Sequence, residues 1–140
     1  MNTPKHTKLF QVRWREPLGL PECPYAYRWV FIFFGYSIRI HHFIFSDDDR
    51  ALHDHGWWFI TMVISGSYVD VSTDGEDRLE RGSIRFRKAK HRHYVKVPKS
   101  GCWTILFTGR PSRNWGFWVN GKFKRPLKYF HKFGHQNLCD

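Results

Sequence analysis

A chain of 140 residues with 41% hydrophobic content is the size of one domain able to bury its own core, which excludes a peptide-sized or fibrous protein. Aromatics reach 19% while Ala, Leu and Glu are scarce, so an all-β architecture with minor helix is expected. The net charge of +11 is uneven: residues 1–80 carry 8 Lys+Arg against 11 Asp+Glu, and residues 81–140 carry 15 against 1. That asymmetry suits a nucleic acid, another polyanion or a small anionic molecule, and equally a solvated basic face.

Residues 1–28, with three prolines in "EPLGLPECPY", read as an irregular arm over a barrel core at 29–119, and 120–140 as a basic and aromatic C-terminal segment of the same single domain, 1–140. "YRWVFIFFGY" is apolar enough for a strand buried on both faces. In "YSIRIHHFIF" the alternation puts Ile38, Ile40, His42 and Ile44 on one face and Arg39, His41, Phe43 and Phe45 on the other. The apolar company of His42 predicts a core position for it and a surface position for His41. "SDDDR" ends the run, with Asp47, Asp48 and Asp49 as a solvated turn. "WWFITMVISGSYVDV" is strand-like, with Gly66 marking a bulge or a close backbone approach. Asp74-Gly75 and Asn120-Gly121 are hairpin turns, because both glycines supply positive φ. Many short strands at this spacing imply a barrel or sandwich.

Three cysteines, Cys23, Cys102 and Cys139, without C-x-x-C spacing suggest neither a disulfide framework nor a thiolate zinc site, and fit a reducing, cytoplasmic setting. "MNTPKHTKLF" lacks an apolar signal core, and "WVFIFFGY" is too short to span a bilayer, so a soluble protein with no membrane partner is expected.

The chemistry concentrates in "ALHDHGWWFI". On a strand, His53 and His55 would share a face and offer two imidazoles to one cation. Asp54 between them would point away and fix a loop, and Trp57, Trp58 and Phe59 would be core. A third ligand must come from another strand. His91 and His93 share a face and either is available.

These residues resemble the two motifs of the cupin superfamily. His53, His55 and Gly66 match the first motif, with Phe59 in place of its glutamate and Asp47 in place of its first glycine. Gly82 and His93 match the second, with Lys88, Lys90 and Val97 replacing proline, glycine and asparagine. From about Ile40 to Trp118 the chain is similar to small single-domain cupins with an L-H-D-H-P-W pattern, although Gly56 replaces the proline and Tyr94 a later arginine. The resemblance implies a jelly-roll, RmlC-like barrel, a homodimer, and a three-histidine site, His53, His55 and His93, like that of the cysteine-dioxygenase-like thiol dioxygenases. It also implies one divalent transition metal, Fe2+ foremost, with Zn2+, Mn2+ or Ni2+ as alternatives, and a dioxygenase-like activity if the protein is an enzyme. Arg39 and Arg85 are candidates for holding a substrate carboxylate. His42 and His91 are candidates for supporting or alternative ligands. The rival reading is a non-catalytic module in which Lys122, Lys124, Arg125, Lys128 and Lys132, interleaved with Phe123, Tyr129, Phe130 and Phe133, bind nucleic acid.

Overall fold

The computed structural model describes residues 9–47 and 50–139. Asp48 and Asp49 of the acidic turn, and residues 1–8 of the N-terminal segment, lie outside the described residues. Strands β1 (Phe10–Leu20) and β2 (Cys23–Phe33) pair antiparallel where the prolines suggest an irregular arm. β1 tolerates Pro17 because it is an edge strand, where missing N–H groups leave no neighbour unpaired. Its register shifts between Arg13 and Glu16, and again between Leu18 and Gly19, and Arg15 adopts φ 45°. The expected irregular arm is thus an edge strand and its neighbour, interrupted by two register shifts.

The chain continues through β3 (Tyr36–Phe43), β4 (Leu52–His53), β5 (Phe59–Ser72), β6 (Gly75–Glu80), β7 (Ile84–Arg87), β8 (His93–Lys96), β9 (Cys102–Thr108), β10 (Phe117–Val119) and β11 (Lys122–Lys124), then helix α1 (Pro126–Phe133). Both predicted hairpin turns form: Ser72 pairs with Gly75 across Asp74, and Asn120 and Gly121 both take positive φ, 51° and 74°.

All pairings are antiparallel, in two sheets joined by β5. One sheet orders β1-β2-β3-β9 against the first half of β5, with β7 on its other side; the second sets β6 and β8 beside the last half of β5 and continues through β4, β10 and β11. The junction is a bulge between Val63 and Ser65, followed by Gly66 at φ 80°. A side chain at Gly66 would meet the Gly101 carbonyl oxygen at 2.5 Å, so only glycine allows the approach. The bulge also changes the strand's phase: Phe59, Thr61 and Val63 are buried before it, Tyr68 and Asp70 after it. Asp70 therefore points inward.

The main core gathers Ala26, Phe43, Val63, Tyr68, Leu79 and Val95 between the sheets. A smaller one joins α1 to the barrel through Tyr129, whose ring stacks on Phe117 at 4.0 Å, a contact worth about 0.5–1.5 kcal/mol beyond its area. Arg50 donates to the carbonyls of Phe133 and Gly134 and holds the end of the helix. The segment after α1 then returns across the barrel opening, and Cys139 is bonded to Cys23. This corrects the expectation of no disulfide. One bridge between residues 116 apart leaves no spacing pattern to read, and Cys102 stays a buried free thiol. No helix among the described residues is long and apolar enough to cross a membrane.

Candidate metal centre

His53 on β4 stands directly opposite His93 on β8. His55 lies past the end of β4, in irregular backbone anchored by its N–H to the Ala89 carbonyl at 3.0 Å. The shared strand face expected of the two histidines therefore does not exist; the turn of the chain after β4 directs His55 to the same place. Asp54 secures that turn. It is buried, and it accepts hydrogen bonds from the Gly116 N–H at 2.9 Å, Arg113 Nη1 at 2.9 Å and Trp118 Nε1 at 3.0 Å.

One nitrogen of each of His53, His55 and His93 lies within 4.8 Å of the other two, and His93 Nε2 is 3.2 Å from His55 Nε2. Imidazoles sharing one cation with bonds of about 2.0–2.1 Å sit roughly 3.0–3.4 Å apart, so the donor set fits a transition metal. Burial, then the neighbouring His93, pushes His53 and His55 well below the ordinary histidine range; burial also lowers His93, against the pull of Asp70. All three are thus held neutral, the form that ligates.

Asp70 lies behind the triad. Its Oδ2 meets His93 Nδ1 at 2.8 Å, which fixes the His93 proton on Nδ1 and turns the Nε2 lone pair toward His55. His91 Nε2 contacts both oxygens of Asp70, at 2.9 and 3.1 Å, and Arg87 Nε lies 3.4 Å away. Burial alone would raise the Asp70 carboxyl, but the hydrogen bonds from His91 and His93 outweigh it and hold Asp70 well below the carboxylate range. His91 accordingly faces Asp70 rather than the triad. Asp47, read as part of a solvated turn, is buried; its Oδ1 accepts the Val95 N–H at 2.8 Å and its Oδ2 lies 4.0 Å from His53 Nδ1.

Phe59 packs its ring 4.7 Å from His55 and 6.2 Å from His93, on the side where a carboxylate would complete a four-residue set. The triad opens into a cavity of about 550 Å³, whose lining includes Arg39, His41, Trp57, Thr104, Gln136 and Leu138.

No family model matches the chain, and no curated protein matches it by sequence. Solved structures do match in shape. The iron(II) form of HppE aligns over 78% of this chain and 59% of its own, at 12% identity and a TM-score of 0.57. A Klebsiella pneumoniae protein with a double-stranded β-helix domain aligns over 66% and 83%, at 16% identity and 0.54. The oxalate decarboxylase of Lactobacillus farciminis, in a formate complex, aligns over 81% and 36%, at 14% identity and 0.53. The barrel has the cupin, double-stranded β-helix fold. The chain spans little more than half the length of HppE and about a third of the decarboxylase, and at these identities the likeness carries the fold alone.

Within the cupin barrel the remaining candidates separate. Arg39 faces the cavity, donating Nε to Ser37 Oγ at 3.0 Å and lying over the Trp57 ring at 4.7 Å. Arg85 does not reach it: its guanidinium is bound to Asp77 at 2.9 and 3.2 Å, because it lies on β7 beside the β6 carboxylates. The β3 alternation has the predicted period with the opposite sense. His42 stacks outside on Trp103 at 4.1 Å, away from the triad, whereas His41 is the one that faces inward. Two positions at the triad and cavity carry no sequence signal at the level of motif, Asp70 behind His93 and Thr104 in the cavity wall. Asp70 becomes legible only once the Gly66 bulge is used to reset the phase of β5.

Proposed function

We propose that this cupin holds one divalent transition metal, Fe2+ foremost, through His53, His55 and His93, and acts as an oxygenase-like enzyme on a small anionic substrate. The convergence of three neutral imidazoles, one of them oriented by Asp70, carries the reading. Bound iron would supply open coordination positions where substrate and dioxygen can be activated together. The chain's own part is to orient His93 through Asp70, to keep water from one side with Phe59 and Trp57, and to cover the opening with the segment tied down by Cys139. Metal analysis and ferrous uptake by protein purified without a histidine tag test this. We expect about one equivalent bound, lost in His53→Ala; less than about a tenth of an equivalent in the wild type removes the reading.

The homodimer is proposed to form through the outer face of the β1-β2-β3-β9-β5-β7 sheet. There Val12, Phe31, Ile38, Phe107, Ile60 and Phe86 are consecutive cross-strand neighbours, each at least 36% exposed. Five strand spacings make this row about 24 Å long. Apolar surface of that extent is unusual on a monomer, and an uncharged row presents no repulsion to its own copy. The rival function, nucleic-acid binding by the basic C-terminal segment, loses part of its support because Tyr129 and Phe130 are spent on docking α1. It retains a clear expectation, binding that falls steeply with salt and survives His53→Ala.

A further inference from the structure

The cavity wall formed by β3 and β9 carries polar groups that none of the described residues satisfies. On β3, Arg39 and His41 point inward, and on β9 Thr104 stands directly opposite His41. His41 Nε2 and Thr104 Oγ1 are sealed from solvent without a hydrogen-bond partner. Among the described residues Arg39 donates only its Nε, to Ser37 Oγ, and no carboxylate pairs with it. The nearby Glu16 is taken by Arg28 at 3.1 Å and Arg13 at 4.0 Å, so three arginines line this end of the cavity against one acid. Buried polar groups without partners are costly and rare in a finished fold, and two of them beside the Arg39 guanidinium on one cavity wall mark a place where a ligand completes the pairs.

We infer that Arg39, His41 and Thr104 form a subsite for the oxyanion head of a short acid whose other end faces the three histidines. This rests on the metal reading only for what happens at that other end. Arg39 supplies the charge and two donor groups; the Thr104 hydroxyl and the His41 N–H complete the shell. Burial, with Arg28 and Arg39 nearby, pushes His41 down to about 3, so it acts as a neutral donor. Burial and the same crowding of positive charge lower Arg39 to about 10, the condition an incoming anion relieves. Trp57 touches both ends, with Arg39 over its ring at 4.7 Å and the His55 ring at 5.6 Å, so the subsite and the histidines are within reach of one short ligand.

Calorimetric titration of the metal-free full chain with succinate, inorganic phosphate and uncharged succinamide tests the subsite. At least one anion should bind, with succinamide about tenfold weaker or undetectable, and Arg39→Gln should weaken the anion by about ten- to a hundredfold. Thr104→Val should weaken it by about threefold or more while raising the melting temperature, since it removes an unsatisfied buried hydroxyl without changing shape. A merely structural Thr104 would lower the melting temperature instead. Ferrous uptake by the wild type is read separately: no uptake with Arg39-dependent anion binding intact would sink the metal reading and leave the subsite standing. If Arg39→Gln fails to fold, Thr104→Val and Arg39→Lys carry the test. Equal anion affinity in wild type and folded variants, or no binding of either anion by the wild type at tens of millimolar, overturns the subsite.

Discussion

The β1-β2-β3-β9-β5-β7 sheet inverts the usual division of polarity in part: polar groups share its inner face with the core residues Ala26, Phe43 and Val63, and a row of apolar side chains stands outside. Inside, Ser37, Arg39, His41, Thr61, Thr104 and Thr108 look toward the cavity or lie buried along it, and Ser37 and Thr108 bond to each other. Outside, Phe31, Ile38, Ile60, Phe86 and Phe107 stand in water. The period of 2 is the same on both faces, so periodicity alone does not say which face is which. On the proposed reading, a charged ligand would account for the polar set inside and a second copy of the chain for the apolar set outside.

A charge placed on each face in turn is the sharpest way to break that comparison. Val63→Asp, at a position 1% exposed, should cost several kcal/mol and leave the chain unfolded, seen as loss of β circular dichroism. Phe107→Asp should leave the barrel folded and raise the dimer dissociation constant by about a hundredfold or more in sedimentation equilibrium. A wild type that is monomeric at high micromolar concentration, or a Phe107→Asp variant that unfolds, would mean the outer face is not an interface.

The same inversion explains what could be read from the sequence. The all-β barrel, both Gly-containing turns, the Gly66 bulge and the convergence of His53, His55 and His93 follow from patterns that are local or fixed in spacing. His41 and His42 were separated correctly by alternation and then assigned by the rule that apolar neighbours lie inside, which fails on a sheet with an apolar exterior. Asp70 was hidden because the bulge shifts β5 by one residue, which exchanges inward and outward positions for everything after it. The Cys23–Cys139 bridge was hidden because chain separation carries no pattern.

On the second sheet the polar interior is built differently, since the carboxylate behind the triad is paired with His91 and His93. Asp70→Asn keeps the shape but weakens the grip on the His93 tautomer, so ferrous affinity should fall by about ten- to a hundredfold with folding retained. Unchanged affinity would show that Asp70 serves the His91 and Arg87 contacts rather than the metal site.

The smallest expected effect isolates the polar wall itself. His41 titrates at about 3 in the fold, where burial and then Arg28 and Arg39 disfavour its charge, against 6.5 in the unfolded chain. Above pH 6.5 neither state is protonated and His41 adds no slope. Between about 6.5 and 3 the unfolded chain takes up a proton that the fold excludes, so stability falls as pH falls, by at most about 1.4 kcal/mol per pH unit. Below about 3 both states are protonated and the slope ends. His41→Gln should remove this component, so urea midpoints of wild type and variant, measured at pH 7.5, 6 and 4.5, should diverge steadily toward acid. Parallel pH dependences would mean that His41 is solvated in the native barrel, and the inner face would then be polar because water reaches it rather than because a ligand does.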